Sequence, residues 1–172
     1  MKSSVQSDAE NVTVLIELAA YHLLLQLLPM LNSYRFGVGG SLLLTELGLL
    51  QHARDLDLVC TEEDFKPIIQ TLCSSVNPIL QQVPVPPHPL YQSEYFARFV
   101  DPNGTEIDVM ANIRVQQADT ILSWQFDETQ LQVRHSIPWM SAQQWLELYQ
   151  LFQRRQRVAL LRQFLFGRDS DH

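Results

Sequence analysis

Charge is scarce in this 172-residue chain. Only 18% of its residues are Asp, Glu, Lys or Arg, and the 12 basic side chains are outnumbered by 19 acidic ones. A formal net charge of −7 excludes a general polyanion binder, whose surface must present many cations to displace counterions. Cysteine is scarcer still. Cys60 and Cys73 are too few for a disulfide framework and lack histidines at zinc spacing, so they are expected as free buried thiols in a reducing compartment. Internal repeats, heptads and low-complexity tracts are absent, as is a clean membrane-spanning run. Val12 to Leu31 comes nearest, and Glu17, His22, Gln26 and Pro29 interrupt it. Met1 to Asn11 is polar and lacks the basic-then-apolar order of a signal peptide. A cytoplasmic protein with no membrane partner is the expectation.

What is present is apolar: 46% of the residues are hydrophobic, which suits one ordinary domain with a proper core and a small appendage. The charge divides the chain. Residues 1–140 carry seven basic and sixteen acidic side chains, a net of −9, whereas residues 141–172 carry five basic and three acidic, a net of +2. An acidic body with a basic helical segment packed on it suits a site where phosphates meet metal-binding carboxylates. Two solvated helix faces would give the same numbers.

Punctuation and periodicity place the elements. Ser7-Asp8-Ala9-Glu10 has capping-box form, predicting a helix from near Asp8 toward Leu28 that Pro29 and Asn32-Ser33 close. That helix is apolar on most sides, which suits a buried interface or a homodimer. Tyr34 to Val38 reads as a strand, Gly39-Gly40-Ser41 as a tight turn and Leu42 to Leu50 as a short helix. Asp55 to Cys60 reads as a strand, and Thr61 caps a helix over Glu62 to Ser74. Five prolines between Asn77 and Pro89 predict a loop or extended connector. Tyr95 to Val100 and Thr105 to Val115 are strands joined by the turn Asp101-Pro-Asn-Gly104. Ile121 to Phe126 and Leu131 to Ile137 suggest a second hairpin around Asp127 to Gln130. Ser141 to Phe166 is one long C-terminal helix, or two broken near Gln153–Arg157. This order predicts an α+β fold with a mixed β-sheet flanked by helices.

Three pieces of that plan carry chemistry. Gly39-Gly40-Ser41 ends a strand and opens a helix, where a chain without side chains comes close to a ligand and free N–H groups favour phosphate. Asp55 and Asp57 share one face of a strand whose Leu56 and Leu58 point the other way. Two like charges so placed repel unless one takes a proton or a hard cation lies between them. Asp108 is a third carboxylate between apolar neighbours, Ile107 and Val109. Glu106 shares its face and competes for the role, and Asp108 is preferred because it sits deeper in the apolar stretch. Such a triad beside such a turn suits phosphoryl or nucleotidyl transfer by two Mg²⁺ ions.

Gly39-Gly40-Ser41, Asp55-Leu-Asp57-Leu and Ile107-Asp108-Val109 resemble the Gly-Gly-Ser, Asp-x-Asp and lone-Asp motifs of the DNA polymerase beta-like nucleotidyltransferase superfamily. In style they are most similar to its small bacterial members, the aminoglycoside and lincosamide nucleotidyltransferases and the toxins of abortive-infection systems. The motifs span residues 36–110, and a looser likeness reaches Trp145 to Tyr149 with Arg154 and Arg155. Arg54 stands where Ser or Thr is common in the superfamily. The resemblance implies a nucleotidyltransferase-like catalytic domain over 1–140 with the helical segment 141–172 packed on it. It implies Asp55 and Asp57 as ligands of Mg²⁺ that hold an NTP, and Asp108 as ligand of a second ion that helps deprotonate an acceptor hydroxyl. Ser41 and the N–H groups around Gly40 would contact the terminal phosphates. The acceptor would be a hydroxyl of a small molecule, a protein or a tRNA; other nucleic acid is not expected. The alternative is a lapsed or regulatory module on the same fold, such as a toxin–antitoxin component.

Other residues read as ordinary structure. His22, His52, His88, His135 and His172 share no ligand spacing. Trp124, Trp139 and Trp145 are expected in the core before they are expected on a base or sugar. Arg154, Arg155 and Arg157 are expected on a solvated helix face before a triphosphate. Trp145, Leu148, Tyr149 and Phe152 form a packing face toward the sheet.

Overall fold

The computed structural model describes residues 18–75 and 80–167. Five α-helices and nine strands are defined among them: α1 (Ala19–Leu31), β1 (Phe36–Gly39), α2 (Gly40–Glu46), β2 (Leu56–Cys60), α3 (Glu62–Ser75), β3 (Gln81–Val83), β4 (Tyr95–Val100), β5 (Glu106–Ala111), β6 (Ile113–Gln117), β7 (Thr120–Trp124), β8 (Gln132–Arg134), β9 (Ile137–Trp139), α4 (Ala142–Leu151) and α5 (Arg155–Phe166). The predicted capping box at Ser7–Glu10 lies outside the described residues.

Seven strands form one mixed sheet in the order β3-β4-β5-β2-β1-β9-β8. Its centre is the antiparallel pair β1/β2 and the parallel pair β2/β5. β2 and β5 are apolar on the face that meets the helices: Leu56, Leu58, Ile107 and Val109 are all fully buried. Leu23, Leu24, Leu27 and Leu31 of α1, and Ile68 and Leu72 of α3, belong to the same buried core. Burying a leucine or isoleucine contributes about 1.5–3 kcal/mol, so this layer dominates the stability of the sheet. A bidentate ion pair, Arg134 Nε and Nη2 to Glu46 at 2.7 and 2.6 Å, ties the outer strand β8 to the end of α2.

Local backbone chemistry shifts several predicted boundaries. Pro29 lies inside α1, which continues to Leu31, and the Asn32 N–H donates to Leu28 O at 3.0 Å. The expected strand Thr105 to Val115 is two strands. Asn112 takes a left-handed φ of 45°, its amide donating to Glu62 Oε2 at 2.6 Å, and the chain beyond it leaves the large sheet. β6 pairs there with β7 rather than β7 with β8, so the predicted second hairpin is replaced by two. Asp127 instead caps a single 3₁₀ turn through Thr129 N and Oγ1, at 3.0 and 2.6 Å. The proline-rich connector contains the short edge strand β3, paired with β4. The C-terminal segment takes the broken form, with Gln153 at φ 57° between α4 and α5. Cys60 is buried and Cys73 is exposed, so only one thiol is hidden as expected.

One packing contact joins the two ends of this plan. A Cβ on Gly39 would overlap the indole nitrogen of Trp145, so the last residue of β1 has no room for a side chain beneath α4. Trp145 is buried and packs edge-on against Tyr149, with ring centroids 5.1 Å apart. Gly39→Ala is therefore expected to destabilise the protein by about 2–3 kcal/mol in urea unfolding. That loss should shrink sharply in a Trp145→Ala background, which removes the overlap at its own cavity cost.

Candidate functional site

The sheet register determines the geometry of the acids. In the parallel β2/β5 pair Asp57 stands directly opposite Asp108. Both project from the face opposite the buried leucines. Asp55 precedes Asp57 by two residues and Glu106 precedes Asp108 by two. All four acids line one cleft of about 740 Å³ together with Ser41. The two glycines are not lining residues and act beneath the cleft. Gly40 has φ +63°, and a Cβ there would overlap the Asp57 carboxylate, so only glycine lets the chain pass this close. Gly39 supports Trp145, which does line the cleft.

The cleft also contains residues that sequence reasoning assigned elsewhere or passed over. Arg155 is exposed as expected, whereas Arg154, also exposed, and the half-buried Arg157 line the cleft, and Trp145 and Tyr149 form part of its wall. Val85 to His88 of the proline-rich segment line it as well. Tyr91 bridges the two sides, tilted on His88 at 4.6 Å and edge-on to Phe152 at 5.4 Å. Arg98 of β4 was passed over entirely. It faces Asp108 in register and grips it with both arms of the guanidinium fork, Nε to Oδ1 at 2.7 Å and Nη2 to Oδ2 at 3.0 Å. Glu106 lies 3.5 Å from the same Nε. The turn alone does not signal this pair: a four-residue turn over Asp101–Gly104 would set 98 against 107, and the inclusion of Thr105 in the loop moves Arg98 opposite Asp108.

Asp57 is the strained member. Its carboxyl is pushed up to about 7, first by burial, then by the charges of Asp108 and Asp55; Arg98 and Arg154 only partly offset this. Burial and the nearby Asp57 charge also hold the Tyr149 hydroxyl well above the usual phenol range. The Asp108 hydrogen bonds hold the Arg98 guanidinium firmly in its charged form.

Hard oxygen donors crowded by their own charge fit a divalent cation. Asp57 fits best, since no hydrogen bond contributes to stabilising its charge. As the side chains lie, however, no group of three or more His, Cys, Asp or Glu among the described residues is arranged to hold a metal ion. Both Asp108 oxygens accept from Arg98 instead.

A second cavity, of about 590 Å³, opens at the other end of β2 near Cys60. Its ionisable groups largely satisfy one another: Glu62 accepts from Tyr95 and Asn112, and Arg35 pairs with Glu63 and Asp64. Burial pushes the Cys60 thiol up to about 12, which leaves no thiolate to act as a nucleophile. The acidic cleft is therefore the candidate site.

No family model and no curated protein matches the sequence. Among solved structures, the fold is similar to that of a Thermotoga maritima protein provisionally described as a nucleotidyltransferase. The match has a TM-score of 0.60 at 20% identity and covers 86% of this chain and 92% of that one. The chain thus has an α+β nucleotidyltransferase fold, a mixed sheet flanked by helices with a helical C-terminal segment. No helix among the described residues is long and apolar enough to cross a membrane.

The raised Asp57 value has a definite consequence for stability. In the unfolded chain this carboxyl ionises near its ordinary value of about 4, whereas in the native chain it keeps its proton to about 7. Between those values the native state holds the extra proton, so raising the pH favours unfolding. Metal-free Asp57→Asn protein should therefore gain in melting temperature over the parent as the pH rises through that window. Parallel melts in chelator, from about pH 4 to pH 8, measure the difference.

Proposed function

We propose that this protein is a cytoplasmic, magnesium-dependent nucleotidyltransferase that moves NMP from an NTP to a hydroxyl of a small molecule, a protein or a tRNA. The observation that carries the reading is the convergence of Asp55, Asp57 and Asp108 on one cleft that Ser41 also lines. The nucleotidyltransferase fold supports it. In the reaction the acceptor oxygen attacks the α-phosphorus, the bond to the bridging oxygen breaks, and pyrophosphate leaves. Mg²⁺ held by Asp55, Asp57 and Asp108, two ions in all, would supply Lewis-acid activation of the hydroxyl and neutralise the leaving group.

The protein's own side chains have separate tasks. Asp55 and Asp57 present ligand oxygens from one strand face, and Asp108 presents its own from the neighbouring strand and takes part in removing the acceptor proton. Ser41 and the chain at Gly39-Gly40 approach the phosphates. Arg154 and Arg157 supply cations from the end of the α4–α5 connection and the first turn of α5, where a triphosphate would otherwise meet an acidic surface. The aromatic and proline wall excludes water and leaves a slot for a nucleobase or acceptor.

Incubation with labelled NTPs, Mg²⁺ and candidate acceptors tests the reading. Asp57→Ala or Asp108→Ala should each reduce transfer by about a thousandfold or more, because the acids act as a unit. Transfer that persists in either variant would refute it.

A non-catalytic binding or regulatory module is the second reading. One observation favours it: Arg98 neutralises Asp108 without any metal. Thermal melts separate the two. With Mg²⁺ and NTP at about a hundred times Kd, an enzyme should gain about 2.7 kcal/mol, and a module that binds neither should not shift.

A further inference from the structure

The cleft is lined by four acids, Asp55, Asp57, Glu106 and Asp108, and by three arginines, one of which is not free. Arg98 engages both oxygens of Asp108, in a pair whose side chains are 29% and 16% exposed. A bidentate pair of that geometry is strong, and it engages both oxygens of a residue that lines the cleft. A divalent ion at Asp108 would sit within a few ångströms of the guanidinium carbon. A doubly charged ion and a guanidinium at that distance in a partly desolvated cleft repel strongly. The two cations therefore compete for the carboxylate in this arrangement.

Arg98 has somewhere else to go. Glu106 Oε2 is already 3.5 Å from its Nε, and its guanidinium carbon lies 5.7 Å from the centre of the Phe96 ring on the same strand face. A small rotation about the side chain exchanges Asp108 for Glu106 while retaining the aromatic face beneath the cation. We propose that Arg98 is an internal stand-in for the metal: it balances the charge of ionised Asp108 when no metal is bound and releases it, turning to Glu106, when a divalent ion binds there. The inference rests on the magnesium reading above and assigns Arg98 as the positioning residue that sets how tightly the cleft takes its ion. It also gives Glu106 a task as the second seat for the guanidinium rather than as a third ligand.

The test is direct Mn²⁺ binding without nucleotide, followed by electron paramagnetic resonance of the free ion. Arg98→Gln should bind Mn²⁺ at least tenfold more tightly than the parent, and that gain should vanish when Asp57→Asn is added. Arg154→Gln removes an equal charge from the same cleft but grips no acid, and should change affinity by less than threefold. Arg98→Lys retains the charge and the aliphatic stem, so it guards against a folding failure of the glutamine variant; having no fork, it should fall between parent and glutamine. Equal gains for Arg98→Gln and Arg154→Gln would overturn the proposal by reducing it to general charge. So would an Arg98→Gln or Arg98→Lys affinity no higher than the parent's while the parent shows Asp57-dependent binding. Failure of the underlying magnesium reading looks different: no variant, parent included, would show Asp57-dependent Mn²⁺ binding.

Discussion

Electrostatic repulsion between carboxylates on adjacent parallel strands is the constraint to which the rest of the cleft responds. β2 and β5 run side by side in a register that sets Asp57 against Asp108, and apolar side chains on the opposite face fix that register. A one-residue slip would drive Leu56 and Ile107 out of the core and the acids into it. The strong hydrophobic layer thus holds the unfavourable charges together. The protein answers the repulsion differently at the two positions. At Asp108 an arginine is built into the next strand, and at Asp57 the chain leaves the charge largely uncompensated, with a glycine pressed against it. Such asymmetry between paired acids is characteristic of sites that handle ions or protons.

Much of this was legible in the sequence because strand alternation and turn chemistry are local signals. Asp55-Leu-Asp57-Leu announces its own two faces, and Asp101-Pro-Asn-Gly104 announces the hairpin that follows. The parts that were not legible lacked local marks. The β6/β7 and β8/β9 turns use Ala118-Asp119 and His135-Ser136, with φ of +51° at Ala118 and of +51° and +62° at His135 and Ser136. None of these is the Asn-Gly or Asp-Gly signal that tight hairpins favour, so strands were paired to the wrong neighbours. Asn112 ended a strand through a side-chain bond to a residue fifty positions earlier, a contact no local pattern encodes.

The arginines show the same division. Arg154 and Arg157 lie on a short basic run, whose ordinary meaning is a solvated face, and only the break at Gln153 turns α5 so that they enter the cleft. Trp145 likewise sits at helical spacing with core residues, and it is both core and cleft wall, covering Gly39 beneath and facing the cavity above. Residues with two roles of this kind read as packing from sequence because packing alone accounts for their spacing.

The parallel pairing of β1 with β9 has a consequence for biosynthesis. β1 is buried along its whole length, yet one of its edges is covered by a strand that lies about a hundred residues later in the chain. At translation rates of about 5–20 residues per second, the nascent sheet waits roughly 5–20 s with the backbone groups of that edge unpaired. The tryptophan that covers Gly39 follows six residues after the end of β9, so strand closure and completion of the cleft wall arrive almost together. Until then the emerging polypeptide offers a ribosome-bound partner or a chaperone an open strand edge, and no finished pocket.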